Sequence, residues 1–284
     1  MRKQAIFLIF FSVLLNACIP TLTPEQTPAP ISAPTQMPTP DLQLTKTAAC
    51  AQYIGTVERF ELDSEHMLGP QWISVYTPPC YDPGRAEGYP VLYTFHGQQF
   101  DDSMWFNLGA ADNLDVMIAA GESQPFLVVS IFEEYYYRAV RGNKFPDAVI
   151  KEIIPWVDNN FNTCAERACR AVGGISRGAA WAMRLGLTFP DLFSAIGIHS
   201  LPSYLGGPDQ VRVWVEDYPK DLYPRITMDS GRFDPEVKSA AATQLIFNQK
   251  GIPHDWHLNE GLHDKEYWGA QMETYMRWYA GLWN

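Results

Sequence analysis

The sequence predicts an α/β fold in which a mostly parallel central sheet is covered by helices on both faces. Short apolar runs alternate with longer helical segments from residue 50 to residue 284, as is typical of parallel strands joined by helical crossovers. This stretch of about 235 residues is long enough for one large core, so no second domain is needed. A Gly-flanked turn around Ser176, between a predicted strand and a predicted helix, fits the same architecture.

The predicted elements follow one another in regular order. Strands are predicted near residues 71–77, 90–95, 126–131, 169–174, 193–198, 225–230 and 254–259. Helices are predicted near residues 111–120, 146–159, 178–188, 235–250 and 265–281, the last being rich in aromatic residues. The run at 90–95 is almost continuously apolar, as expected of a strand buried on both faces.

The most informative motif is Gly174-Ile175-Ser176-Arg177-Gly178. It follows the apolar strand 171–173 and precedes a helix, which is the context of a nucleophile elbow. Small residues flank the serine because the tight turn that lifts its hydroxyl away from the backbone leaves no room for side chains. At average glycine usage the motif occurs by chance in roughly one chain in fifteen, so its partners must be found elsewhere in the sequence.

These partners are found at the ends of other predicted strands, in the order that such a site requires. His96-Gly97-Gln98 ends an early strand, and the backbone amides of Gln98 and Arg177 are predicted to face a developing oxyanion. Asp234 follows a late strand as the predicted acid, and His263 follows the last strand as the predicted base.

Other candidates for the acid and the base are less favourable. Asp229 falls inside an apolar strand, where an ionised side chain would need partners of its own. His254 and His257 fall in or beside the last strand, where packing or exposure accounts for them. A triad of Ser176, His263 and Asp234 requires neither metal nor organic cofactor, and the sequence contains no H-E-x-x-H, paired C-x-x-C or G-x-G-x-x-G motif.

The chain resembles a known family. The resemblance rests on His96-Gly97 with Trp105, the motif around Ser176, 189–193, 231–234, and 261–264 with Trp268. It covers about residues 50 to 284 and points to the esterase family, which includes feruloyl and acetyl-xylan esterases, S-formylglutathione hydrolases, enterochelin esterases and mycolyl transferases. Membership implies an α/β-hydrolase fold. The sequence departs from the family at Lys265, where many members have tryptophan, and after Phe132.

The N-terminal segment predicts export. Arg2 and Lys3 precede an apolar run too short to span a bilayer comfortably, as in a signal peptide covering residues 1–17. The sequence Leu15-Asn16-Ala17-Cys18 resembles a bacterial lipobox, so we expect Cys18 to carry acyl chains that anchor the protein in a membrane at the cell surface or periplasmic face. The alternative is ordinary cleavage that leaves Cys18 as an unpaired thiol.

Residues 18–49 are predicted to form a tether between this anchor and the catalytic domain at 50–284. Residues 19–47 contain seven prolines and seven threonines, a composition that favours extended conformations; a passive linker is the alternative. The remaining cysteines are even in number, in a compartment that permits disulfides. Local pairing, Cys50 with Cys80 and Cys164 with Cys169, is the simplest arrangement.

Composition and charge limit the classes of molecule that the protein is expected to bind. The formal charge of −11 becomes −13 when Arg2 and Lys3 leave with the signal peptide, and no basic cluster remains, so nucleic acid is not expected as a partner. Aromatic residues at 133–138 could stack on a sugar or an aryl acyl group, or simply pack, and residues 201–224 could form a lid or an ordinary connection.

The expected function is hydrolysis of a carboxylic ester, and an ester linked to a glycan or another extracellular polymer is a candidate substrate. An acyltransferase with the same triad is an alternative, since only the acceptor of the acyl group differs. A catalytically silent ligand-binding module is a second alternative, against which the order Ser176, Asp234, His263 argues.

Overall fold

A computed structural model describes residues 50–133, 143–203 and 207–284. They form an eight-stranded sheet with the order β1-β2-β4-β3-β5-β6-β7-β8. The strands are β1 Thr56–Leu62, β2 Gln71–Thr77, β3 Val91–Phe95, β4 Leu127–Ile131, β5 Arg170–Ile175, β6 Ala195–His199, β7 Arg225–Gly231 and β8 Asp255–Asn259. β1 and β2 pair antiparallel with each other, β2 pairs antiparallel with β4, and every later pairing is parallel. The predicted α/β fold is therefore confirmed.

The described α-helices follow the strands from β3 onward. They are α1 Met104–Asn107, α2 Ala110–Ala119, α3 Phe145–Ala148, α4 Ile154–Asn160, α5 Arg177–Thr188, α6 Asp209–Trp214, α7 Val237–Lys250 and α8 Lys265–Ala280. The helix predicted at 146–159 consists of α3, a π-helical segment Val149–Ile153 and α4. Pro155 lies in the first turn of α4 and has no amide hydrogen to continue the regular hydrogen-bond ladder.

Two hydrophobic layers pack against opposite faces of the sheet. Along β3, Val91, Tyr93 and Phe95 contribute to one layer and Leu92 to the other, because successive side chains of a strand point to opposite faces. The first layer also holds residues of α3, α4, α5, α6 and α7, and the second holds residues of α1, α2 and α8. Burying each large apolar side chain contributes roughly 1.5–3 kcal/mol, so the two layers hold the strand ends in fixed positions.

Two disulfides join Cys50 to Cys80 and Cys164 to Cys169, as the local pairing predicted. None of the helices in 50–133, 143–203 and 207–284 combines the length and the apolar character that crossing a bilayer requires. Several predicted features lie outside the described residues. They are the signal peptide, Cys18, the tether, most of the aromatic stretch at 133–138, and residues 204–206 of the predicted lid or connection.

The predicted site residues lie at one edge of the parallel part of the sheet. Loops that follow the carboxyl ends of β3, β5, β7 and β8 carry Gln98, Ser176, Asp234 and His263, respectively. Because parallel strands end at the same edge, these loops meet there.

Candidate active site

Ser176 lies at the sharp turn between β5 and α5. Its backbone has φ 55° and ψ −122°, a region that residues with a side chain rarely adopt and that costs on the order of 1–3 kcal/mol. Gly178 is needed beside it because a β-carbon at that position would lie 2.1 Å from the carbonyl oxygen of Phe95. The buried strand and the close approach to β3 thus hold the serine in a strained conformation.

Ser176, His263 and Asp234 are brought together as the sequence predicts. Ser176 Oγ lies 2.8 Å from His263 Nε2, and His263 Nδ1 lies 2.7 Å from Asp234 Oδ2. The Asp234 side chain is fully buried, whereas that of His263 is 20% exposed. The arrangement lets one ring nitrogen receive a proton from the serine while the carboxylate holds the other.

Asp234 is fixed in the turn that follows β7. Its Oδ1 accepts a hydrogen bond from the Glu236 amide at 2.7 Å, and its Oδ2 also accepts one from Ser230 Oγ at 3.3 Å. The loop bearing His263 comes very close, since a β-carbon on Gly231 would lie 2.4 Å from the carbonyl oxygen of Gly261. Glycine at 231 therefore allows the acid and base loops to meet.

Trp268 of α8 packs against His263. Its ring meets the His263 ring edge-on, with 5.2 Å between centroids. Its Nε1 donates a hydrogen bond to Ser200 Oγ at 2.9 Å, which ties α8 to the loop after β6. The indole is almost completely buried, so it fixes one face of the imidazole.

Gln98 and Arg177 lie where an oxyanion site would form. Gln98 follows Gly97, and a β-carbon on Gly97 would lie 3.5 Å from Ser176 Cβ. Arg177 is the first residue of α5, so its amide belongs to the helix N-terminus. The Gln98 amide has no acceptor among the residues that the structure describes.

His96 positions the Gln98 amide through the intervening peptide. The Glu133 amide donates to His96 Nε2 at 2.8 Å, so the ring proton sits on Nδ1, which donates to the Gly97 carbonyl oxygen at 2.7 Å. The Gly97 carbonyl and the Gln98 N–H belong to one trans peptide and point in opposite directions. Fixing the first therefore fixes the second. Burial lowers the pKa of His96 and keeps its ring neutral.

Glu133 forms a buried cluster that the sequence analysis missed. Its carboxylate accepts hydrogen bonds from Arg177 Nε at 2.7 Å, Arg177 Nη2 at 2.5 Å and Trp181 Nε1 at 2.6 Å. This ion pair connects the end of β4 to the first turn of α5. Of the two roles open to residues 133–138, ligand contact or packing, Glu133 has the second: its buried carboxylate holds the turn after Ser176.

Asp229, the rejected acid, has buried partners of its own. Its carboxylate accepts from Tyr267 at 2.5 Å and Tyr275 at 2.8 Å, and lies 2.6 Å from His199 Nδ1. Burial raises the pKa of both tyrosine hydroxyls, so they remain protonated donors. His199 stacks on Tyr275, and its backbone oxygen accepts from the Ser176 amide.

The two remaining histidine candidates lie away from these contacts. His254 is half-buried with Nδ1 2.8 Å from the Ile252 carbonyl oxygen, and His257 is exposed on β8. Across the described ranges, no three His, Cys, Asp or Glu side chains are grouped so as to hold a metal ion.

Comparisons with known proteins identify the family of this chain. The family model described as "Putative esterase" matches residues 64–279. An endo-1,4-beta-xylanase/feruloyl esterase of Xylanibacter ruminicola is 30% identical over 168 residues, which are 56% of this chain and only 23% of that protein. The acetyl esterase of Caldicellulosiruptor saccharolyticus is 24% identical over 232 residues, covering 68% of this chain and 84% of that one. A solved ferulic acid esterase has a TM-score of 0.71 at 20% identity, over 81% of this chain and 100% of its own.

The structural similarity establishes the fold, and the family match extends over well more than half of the sequence. The chain spans less than a third of the length of the first curated relatives that it matches, at 23% and 29%. The match over residues 64–279 shows that the chain belongs to the esterase family of α/β-hydrolases.

Proposed function

We propose that this chain is a serine carboxylic-ester hydrolase that uses Ser176 as nucleophile, His263 as base and Asp234 as acid. The observation that carries the proposal is the unbroken pair of contacts from Ser176 Oγ to His263 Nε2 at 2.8 Å and from His263 Nδ1 to Asp234 Oδ2 at 2.7 Å. A serine hydroxyl is a weak nucleophile near neutral pH, and such a pair is how it gains reactivity.

In the proposed reaction, Ser176 Oγ attacks the acyl carbon while His263 Nε2 takes the hydroxyl proton. Asp234 stabilises the resulting imidazolium. The tetrahedral intermediate then collapses to an acyl-enzyme as His263 returns the proton to the departing alcohol oxygen. Water repeats these steps on the acyl-enzyme, with His263 again as base, and releases the carboxylic acid and free Ser176.

The oxyanion is proposed to be stabilised by the amides of Gln98 and Arg177. Each donor of this kind is typically worth about 3 kcal/mol in the transition state. His96 supports the first amide by holding the Gly97 carbonyl, and Glu133 supports the second by clamping the Arg177 side chain. Both supports are formed before any substrate binds, so the donors need little reorganisation.

The proposed substrate is an ester of an aromatic acid or of acetic acid with a carbohydrate or another polymer. The support comes from the names of relatives, a feruloyl esterase and an acetyl esterase. We further propose that the protein is an exported lipoprotein anchored through Cys18, in keeping with the lipobox-like sequence at residues 15–18.

Labelling and kinetics test this function together. A fluorophosphonate probe should label the native protein, and Ser176→Ala should abolish labelling and lower turnover of a simple aryl ester by roughly four to six orders of magnitude. Ser194→Ala is the matched control and should retain both, because Ser194 precedes β6 and so lies at the opposite edge of the sheet from the ends of the strands that carry the site. A screen of acetyl, feruloyl, thioester and siderophore esters would then identify the acyl group.

Three outcomes would contradict the proposal. Activity of a folded Ser176→Ala within tenfold of the parent would remove the serine from its role. Absence of both labelling and hydrolysis in the native protein would favour a silent binding module. Acyl transfer to an added sugar or lipid alcohol that outpaces hydrolysis would make the chain an acyltransferase.

A further inference from the structure

We propose that Tyr267 is a positioning residue for catalysis: its hydroxyl, bound to Asp229, holds the loop that carries His263 at the distance from Ser176 that proton transfer requires. The proposal rests on the esterase function above and adds to it a residue that acts through the base. Tyr267 and Asp229 are both buried ionisable residues that take no part in the proposed reaction steps.

Tyr267 contacts the His263 loop on both sides of the histidine. Before it, Gly261 lies so close to the Tyr267 ring that a β-carbon at 261 would be 2.3 Å from Tyr267 Cδ2. After it, Asp264 caps α8, and its Oδ1 accepts a hydrogen bond from the Tyr267 amide at 2.9 Å. The position of His263, between these two contacts, therefore depends on where Tyr267 lies.

The hydroxyl of Tyr267 fixes this side chain to the sheet. It donates a hydrogen bond to Asp229 Oδ2 on β7 at 2.5 Å, and Asn259 Nδ2 on β8 donates to it at 3.2 Å. Burial, together with the charge of the Asp229 carboxylate, raises the pKa of Tyr267, so the hydroxyl keeps the proton that it donates. Two strands therefore hold the ring in place, in addition to its own helix.

Asp229 links the same side chain to the nucleophile. Its Oδ1 lies 2.6 Å from His199 Nδ1, and the backbone oxygen of His199 accepts a hydrogen bond from the Ser176 amide at 2.8 Å. Asp229 also lies on β7, the strand that leads to Asp234. One carboxylate thus connects the turn that carries Ser176 with the loop that carries His263.

The base needs such support because small displacements are costly. Ser176 Oγ and His263 Nε2 are 2.8 Å apart, a hydrogen-bond distance that is formed before substrate binds. A misplacement of about 1 Å in a reacting geometry can cost roughly a hundredfold in rate. His263 lies in the loop between β8 and α8, and loops are more mobile than the elements that they join. Contacts with buried residues on both sides of the histidine restrict that motion.

Tyr275 allows this role to be separated from a general contribution to stability. It donates to the same Asp229 oxygen at 2.8 Å and is as deeply buried as Tyr267. It lies two helical turns further along α8, where its ring packs on His199 and Trp105. Loss of either hydroxyl removes one donor from Asp229, but loss of the Tyr275 hydroxyl leaves Tyr267 bound to Asp229.

The experiment compares Tyr267→Phe with Tyr275→Phe as the matched control. Each variant keeps its aromatic ring and loses one hydrogen bond to Asp229, so both should lower the midpoint of urea unfolding by similar amounts. Tyr267→Phe should lower kcat for a simple aryl ester roughly 5- to 30-fold and leave KM within about twofold of the native value, because the base is misplaced while substrate binding is unchanged. Its rate of fluorophosphonate labelling should fall in parallel. Tyr275→Phe should keep kcat and the labelling rate within about twofold of the native values.

The outcomes distinguish this proposal from the esterase function on which it rests. Equal losses of kcat in the two variants, an unchanged kcat in Tyr267→Phe, or a loss confined to KM would overturn the positioning role. Failure of Tyr267→Phe to fold, judged by circular dichroism, would also overturn it, because the hydroxyl would then serve the fold. Absence of both labelling and hydrolysis in the native protein would instead reject the esterase function.

Discussion

At the scale of single residues, two aspartates near the end of β7 differ in what they contact. Asp234 contacts His263, whereas Asp229 is held by His199, Tyr267 and Tyr275. We predict that Asp234→Asn lowers turnover roughly a hundred- to ten-thousand-fold while leaving some activity, because the serine and the oxyanion amides remain. Asp229→Asn should mainly lower the free energy of unfolding, by roughly 2–4 kcal/mol, since it weakens a buried hydrogen-bonded cluster.

Kinetics, circular dichroism and chemical unfolding of both variants test this prediction. Ser230→Ala, which removes only the weaker 3.3 Å contact to Asp234, serves as the control for changes near the acid. A folded Asp229→Asn without activity, beside a nearly normal Asp234→Asn, would give the acid role to Asp229.

The lowered pKa of His96 should make the stability of the fold depend on pH. This pKa is lowered from 6.5 because burial outweighs the nearby carboxylates Glu133, Asp101 and Asp102. The unfolded chain therefore takes up a proton below pH 6.5 that the folded chain resists, so this contribution to stability is present above pH 6.5 and is lost as the pH falls below it.

The free energy of unfolding, measured from pH 8 to pH 5, should fall below pH 6.5 with a contribution from His96 of at most about 1.4 kcal/mol per pH unit. His96→Gln should show a shallower slope. Parallel slopes in the two proteins would mean that His96 is protonated equally in both states.

The contacts among Ser176, His263 and Asp234 could be predicted from sequence because these residues follow strands in a fixed order. Glu133 could not, since its partners Arg177 and Trp181 lie 44 and 48 residues away and nothing local marks the pairing. The same limit applied to Asp229: the sequence indicated that a buried carboxylate needed partners, but only the fold identifies them as two tyrosines and a histidine.

At the scale of elements, the two disulfides close loops of very different length. Cys50 and Cys80 are 30 residues apart, and Cys164 and Cys169 are 5 apart. Because loop-closure entropy grows with loop length, we predict that replacing Cys50 and Cys80 by alanine costs about 3.5 kcal/mol and replacing Cys164 and Cys169 costs about 2 kcal/mol. Urea unfolding of each double variant measures both costs, and a larger loss from the short loop would contradict this order.

The elements missed by the sequence analysis share a physical reason. β1 lies at the sheet edge, and most of its side chains, including Glu58 and Glu61, are exposed, so it lacks the apolar run of a buried strand. α1 and α6 have four and six residues, too few to show a helical period. Most of the predicted strands are recognisable because burial on two faces requires nearly continuous apolar sequence; β8, whose side chains are exposed or half-buried, is an exception.

At the scale of the whole molecule, the proposed anchor makes a prediction about location. If Cys18 is acylated, Cys18→Ala should move the protein from the detergent-rich to the aqueous phase when it is expressed in its native host, because the acyl chains supply the membrane affinity. Hydrolysis of a soluble ester should be unaffected. Cys50→Ala with Cys80→Ala controls for loss of cysteines in general, and unchanged partitioning of Cys18→Ala would contradict the anchor.

The Cys50–Cys80 disulfide has a mechanical consequence. Every residue of β1 and of β2 lies inside the covalent loop that this bond closes. A force applied to the chain upstream of residue 50 therefore passes through the sulfur atoms to Cys80, beyond β2, and neither of these strands bears it. Pulled from that side under oxidising conditions, the domain should resist until the inner sheet yields, whereas after reduction β1 should peel away first, at lower force and with an additional step in the extension trace.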